Sequence, residues 1–184
     1  MNRIFNITET ETALLLAQAS INAYPVNPFP NMDSPAPIDG YTFVKWILGE
    51  DFSEDKSIEK FVAIYQKDNT QNYLFAFRGT YSEDDIWIDE EFRKKLSFPF
   101  YTKTTTNAQI AQGFHNVYIN LISSSYQNKS LQGALFDFIQ EQKNKNIPIE
   151  NLMITGHSLG AALAEIFTID LCESITKGNV YNVQ

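Results

Sequence analysis

The chain has 184 residues, 43% hydrophobic and 20% charged, which suits a single domain (1–184) with a sizeable core rather than a disordered chain. Its net charge of −8 at pH 7 argues against nucleic acid as a partner, because phosphate binding needs a basic surface. One cysteine, Cys172, excludes an intrachain disulfide, and no apolar run is long enough to span a membrane.

The N-terminus "MNRIFNITETETALLLAQAS" lacks the apolar core of a signal peptide, so the expected compartment is the cytoplasm. "TETETALLLAQASINAY" reads as a helix, with Thr8 and Glu11 at capping-box spacing and apolar residues dense enough to pack on a sheet. It ends before "PVNPFPNMDSPAPIDG", where five prolines stop any regular element. "YTFVKWI" has strand propensity. After the polar "DFSEDKSIE", "KFVAIYQ" and "NYLFAFR" flank "KDNTQ" and read as an antiparallel hairpin.

"GTYSEDDIWIDEEFRKKLSFPFY" mixes acids with Ile86, Trp87, Ile88 and Phe92, the pattern of a short amphipathic helix in a loop. "NAQIAQGFHNVYINLISSSYQ" and "SLQGALFDFIQEQKNK" predict two helices, the second closed by Pro148. The strand "NLMIT", the helix "AALAEIFTIDLCESI" and a further strand "NVYNV" follow. This strand–helix alternation implies a parallel sheet with crossover helices, to which the hairpin adds antiparallel strands. The fold class is α/β. Cys172, on the last helix, is expected to be a buried structural thiol.

The chemical signal is Gly156-His157-Ser158-Leu159-Gly160, a G-x-S-x-G pattern between an apolar strand and a helix. Such a turn holds its serine in a strained backbone conformation, and the flanking glycines are needed because Cβ atoms would collide there. Ala161 and Ala162 extend the small-residue surface. The helix that starts here aims free N–H groups at any oxyanion formed at the serine. Leu159 supplies one N–H, and an earlier strand-end loop should supply another. "FAFRGTYS" is a loop of that kind, with Gly79 and Thr80 after an apolar strand; read alone, it is a strand end with Arg78 in a structural salt bridge.

Together, "FAFRGT" at 75–80, "AQGFHNVY" at 111–118 and "MITGHSLGAALA" at 153–164 resemble the class 3 lipases, the fungal-lipase-like branch of the α/β-hydrolases. The resemblance covers nearly the whole chain. It implies an α/β-hydrolase-like, mixed but mostly parallel sheet flanked by helices. It also implies Ser158 as nucleophile, the Thr80 and Leu159 N–H groups as the oxyanion hole, and a lipid or other ester as substrate. No metal or cofactor is implied. The stretch 81–95, with Trp87, falls where the family has a lid that covers the acyl pocket until a lipid interface draws it aside. The family often has a histidine two residues before the "GF" glycine, where this chain has Ala111. His115 is read as structural or surface, and His157 as too close to Ser158 along the chain to act as its base.

In this fold the triad runs Ser, then Asp, then His. No histidine follows Ser158, and the acids that do, Glu165, Asp170 and Glu173, fall on the helix leaving the turn, where solvated positions are expected. The sequence reading therefore places the triad Asp and His beyond Gln184, with the C-terminal strands, and expects the 184 residues by themselves to be inactive. The alternative is a lipase-like module that binds a lipid or protein without turning it over.

Overall fold

The structure, a computed structural model, describes residues 7–23, 34–50, 58–79, 93–99, 108–120, 122–123 and 129–177. Helix α1 (Ile7–Asn22) precedes strands β1 (Tyr41–Glu50), β2 (Ile58–Lys67) and β3 (Asn72–Phe77). A small ribbon of β4 (Lys95–Ser97) and β5 (Gln109–Ala111) leads into helix α2 (Gln112–Asn120). A two-residue pair, β6 (Ile122–Ser123) with β7 (Lys129–Ser130), precedes helix α3 (Leu131–Asn144). Strand β8 (Asn151–Gly156) and helix α4 (Leu159–Thr176) complete the described elements.

The main sheet has the order β1-β2-β3-β8. Its first three strands are antiparallel neighbours, and β8 joins β3 in parallel. The β2–β3 hairpin is where the apolar runs "KFVAIYQ" and "NYLFAFR" predict it. Its turn is closed by Asn69 in the left-handed region, φ 57°, which asparagine tolerates better than most residues. The parallel pairing is also as expected, and its register carries the site: Asn72 lies opposite Asn151 and Phe77 opposite Gly156.

The central strands are buried on both faces, so their apolar residues run almost without interruption. Period-two alternation still divides the core. Tyr73, Phe75 and Phe77 face α2, α3 and α4, together with Phe138 and Phe167. Leu74 and Ala76 face the other way, with Ala19, Ala23, Trp46 and Tyr65. Phe75 stacks on Phe167 with ring centroids 5.9 Å apart and meets Phe138 edge-on at 5.6 Å. Helix α1 covers the second face, where the Thr155 hydroxyl donates to the Leu16 carbonyl at 3.1 Å. Ser130 caps α3 by accepting from the Gly133 N–H at 3.1 Å.

Several expectations change. Thr8 lies inside α1, not at its cap. Among the described residues, the segment read as one long helix from Asn107 is strand at 109–111 and 122–123 and helix over 112–120, because Gln109–Ala111 pair with Lys95–Ser97 and Ile122–Ser123 with Lys129–Ser130. Cys172 is exposed, since α4 buries Phe167, Asp170 and Leu171 and the next residue turns off that face. Asp170 is not solvated. It is only 7% exposed and accepts from the Tyr118 hydroxyl at 2.9 Å and the Gln132 amide at 2.7 Å. Helices α2 and α3 bring those donors, and a buried carboxylate needs them. The last strand pattern, "NVYNV" at 179–183, lies outside the described residues.

Burial, with the Asp170 charge and hydrogen bond beside it, holds the Tyr118 hydroxyl well above its ordinary pKa. A phenol whose pKa is raised by folding stabilises the fold below pH about 10 and loses that contribution as pH rises, because only the unfolded chain then ionises readily. Tyr118→Phe should cost about 1–2 kcal/mol at pH 7 in urea titrations. The gap from the parent should narrow above pH 10; a pH-independent gap would contradict this account.

Candidate active site

Ser158 sits between β8 and α4, with φ 54° and ψ −125°. That backbone region is unfavourable for any residue with a Cβ, and strain of this kind costs on the order of 1–3 kcal/mol. The surroundings leave no alternative path. A Cβ on Gly156 would overlap the Gly160 carbonyl and come within 2.8 Å of the Ala161 nitrogen. A Cβ on Gly160 would overlap the Phe77 carbonyl and reach 2.7 Å from the Arg78 carbonyl carbon. Both glycines of the motif are therefore demanded by contact: one lets α4 turn back against β8, the other lets it lie on the end of β3.

The Ser158 side chain is exposed and makes no cap hydrogen bond to an N–H of its own helix. The Ser158 carbonyl accepts from Ala161 at 3.0 Å, and the His157 carbonyl accepts from Gly160 at 2.9 Å, so the first turn is closed at once. The Leu159 N–H has no acceptor among the described residues. It is one of the donors that a helix leaves open at its start, beside the positive end of the helix dipole. An exposed hydroxyl next to an open N–H can attack a carbonyl and hold the resulting oxyanion.

The C-terminal end of β3 lies at the same edge of the sheet. Arg78 and Gly79 are buried there, and Thr80 follows them but lies outside the described residues. Arg78 is where the sequence reading allowed a structural salt bridge: its guanidinium pairs with Glu59 on β2. Nothing local in the sequence marks Glu59 as that partner. The β2–β3 register decides it. His157 is exposed and His115 half-buried on α2. Trp87 and the lid candidate up to Phe92 lie outside the described residues, whereas 93–95 are exposed at the start of the ribbon.

An apolar cleft of about 530 Å³ opens between the β4–β5 ribbon and the flank of α4. Phe98, Ile110, Phe114, Ala162 and Ile166 line it, and Glu165 stands among them. Its lining begins at Ala162, about one helical turn beyond Ser158. The sequence did not announce it, because its walls come from three separate segments. Among the described residues no group of His, Cys, Asp and Glu could hold a metal ion, and no helix is long and apolar enough to cross a membrane.

A strained serine between a strand and a helix, on a mixed sheet with helices on both faces, defines a protein of the α/β-hydrolase type. The chain belongs to the class 3 lipase family, whose model, described as lipase (class 3), matches residues 74–180, more than half of the chain. Solved structures agree on the fold. A fungal lipase in complex with an inhibitor is 21% identical, with TM-score 0.60, over 92% of this chain and 57% of that one. A triacylglycerol lipase, described as having a serine protease triad for its catalytic centre, is 20% identical, with TM-score 0.57, over 94% of this chain and 58% of that one. The lipase of Rhizomucor miehei with its propeptide is 21% identical, with TM-score 0.56, over 93% of this chain and 49% of that one. The chain thus spans about half the length of the lipases it matches.

If the Ser158 backbone is strained as its dihedrals indicate, glycine will relieve it. Ser158→Gly should raise the unfolding free energy by about 1 kcal/mol in scanning calorimetry or urea titration. An unchanged or lower stability would argue against strain. Gly160→Ala, by contrast, should prevent the native fold.

Proposed function

We propose that this protein is a carboxylic-ester hydrolase of the lipase type, with Ser158 as nucleophile. The observation that carries the reading is the Ser158 backbone at φ 54° and ψ −125°, which presents an exposed hydroxyl with no cap hydrogen bond at the start of α4. Class 3 lipase membership supplies the chemistry that such a serine fits.

In this reading the Ser158 oxygen attacks the ester carbonyl carbon and its proton passes to a general base. The carbonyl oxygen gathers negative charge and is held by the Leu159 N–H, with the Thr80 N–H as second donor. Collapse of the tetrahedral intermediate expels the alcohol and leaves an acyl-enzyme, which water then hydrolyses. His115 and His157 are the chain's two histidines, and both precede Ser158. The base and its aspartate are therefore assigned to residues beyond 184, in line with the order Ser, Asp, His. The substrate class is a lipid ester, acylglycerols included, and the segment 81–95 with Trp87 is assigned to a lid.

Hydrolysis of a p-nitrophenyl ester by the full-length gene product tests the nucleophile. Ser158→Ala should lower kcat by a factor on the order of 10⁴ or more. Equal rates would sink the assignment. A fluorophosphonate probe that labels the parent but not Ser158→Ala would rule out a purely binding role.

The lid assignment has its own measurement. Hydrolysis of a short triglyceride should rise steeply above its solubility limit, and Trp87→Ala should flatten that rise while sparing a soluble ester. A rate that follows total substrate smoothly through the solubility limit would count against a lid.

A further inference from the structure

We infer that Arg78 is a positioning residue for the oxyanion hole, clamped from β2 by Glu59 and bracing the start of α4 through its own carbonyl. The inference rests on the reading of Ser158 as nucleophile and of the Leu159 and Thr80 N–H groups as oxyanion donors.

The β2–β3 ladder ends with Phe77 opposite Val62, and one further bond, from the Arg78 N–H to the Phe61 carbonyl at 2.9 Å, carries it to Arg78. Among the described residues, Arg78 is the last on this side that the ladder holds. Its side chain returns over β2, where the guanidinium pairs with Glu59 and lies 5.6 Å from the centre of the Phe61 ring. That side chain is 6% exposed, whereas Glu59 is 29% exposed. On the other side, the Arg78 carbonyl is so close to Gly160 that no Cβ fits between them. Gly160 directly follows Leu159, the described oxyanion donor. Arg78 therefore abuts the start of the helix that carries this donor.

Stability alone is a poor reason for this arrangement. Among the described residues neither the Arg78 Nε nor the Nη1 that faces Glu59 makes a hydrogen bond, so the contact with Glu59 is an ion pair only. A buried charge with incomplete hydrogen bonding is often no better for stability than an apolar side chain of similar volume. Position is what the pair provides. Oxyanion donors must lie about 2.7–3.1 Å from an oxygen that carries charge only in the transition state, and a displacement of about 1 Å can cost about 10²-fold in rate. Arginine suits the task because its guanidinium stays charged when buried and can lie over the Phe61 ring while it pairs with Glu59.

The test uses the full-length gene product with Glu59→Gln, Arg78→Lys and Arg78→Met, alongside Ser158→Ala. Ester kinetics should show kcat lowered by about 10- to 100-fold with KM within a few-fold of the parent. Affinity for a phosphonate or boronate transition-state analogue should fall by the same factor as kcat. Once Arg78 is Met, adding Glu59→Gln should cost little more, because the two act as one unit. A folded Glu59→Gln variant with unchanged kcat overturns the proposal, as does a loss confined to KM or to thermal stability. If the Arg78 variants do not fold, Glu59→Gln decides, since Glu59 is partly solvent-exposed. Activity surviving in Ser158→Ala would instead overturn the nucleophile reading on which the proposal rests.

Discussion

Helix α4 begins with its backbone lying directly on the terminal carbonyls of β3, at a separation that admits a hydrogen at Gly160 and nothing larger. A second approach, of Gly156 to the Gly160 carbonyl, folds the same helix back against its own strand. Between strand and helix the chain has only His157 and Ser158 in which to reverse, and Ser158 takes the unfavourable dihedrals that the reversal requires. Strain of this kind persists only where surrounding packing over-determines it. The aromatic stack of Phe75 and Phe77 on Phe167 provides that packing, because it fixes α4 against β3 two turns beyond the serine.

The rest of the domain keeps those two strands and that helix in place. The β2–β3 hairpin buries both of its faces, and α1 closes the face away from α4. On the near face, α2 and α3 lock α4 through Asp170, whose carboxylate takes donors from each of them. A buried carboxylate with two good donors is tolerable, and removing either would leave it short. The ionic contact between Arg78 and Glu59 performs the matching service on the β2 side. The exposed serine thus stands on a frame held from both directions, with its strain concentrated at one backbone position.

Much of this was legible in the chain. The apolar runs around "KDNTQ" gave the hairpin, and the order of apolar strand, G-x-S-x-G and small-residue helix gave the turn. The failures share a cause. Asp170 looked solvated because its donors, Tyr118 and Gln132, are distant in sequence. Gln109–Ala111 looked helical because only pairing with Lys95–Ser97 makes them a strand. Cys172 looked buried because apolar density in α4 says little about which side of the helix faces inward.

By itself the sequence determined the local geometry at Ser158, since glycine at 156 and 160 and alanine at 161 and 162 limit what the backbone there can do. It also determined the alternation that sorts Tyr73 to Phe77 between two faces, because a strand's period is a property of the chain. Only the tertiary structure decided that Phe77 stands opposite Gly156, that Arg78 is buried against Glu59, and that the ribbon and α4 enclose an apolar cleft. Each of these is a meeting of segments far apart along the chain. Such meetings are fixed by how whole faces bury against one another, and no short stretch of residues encodes that.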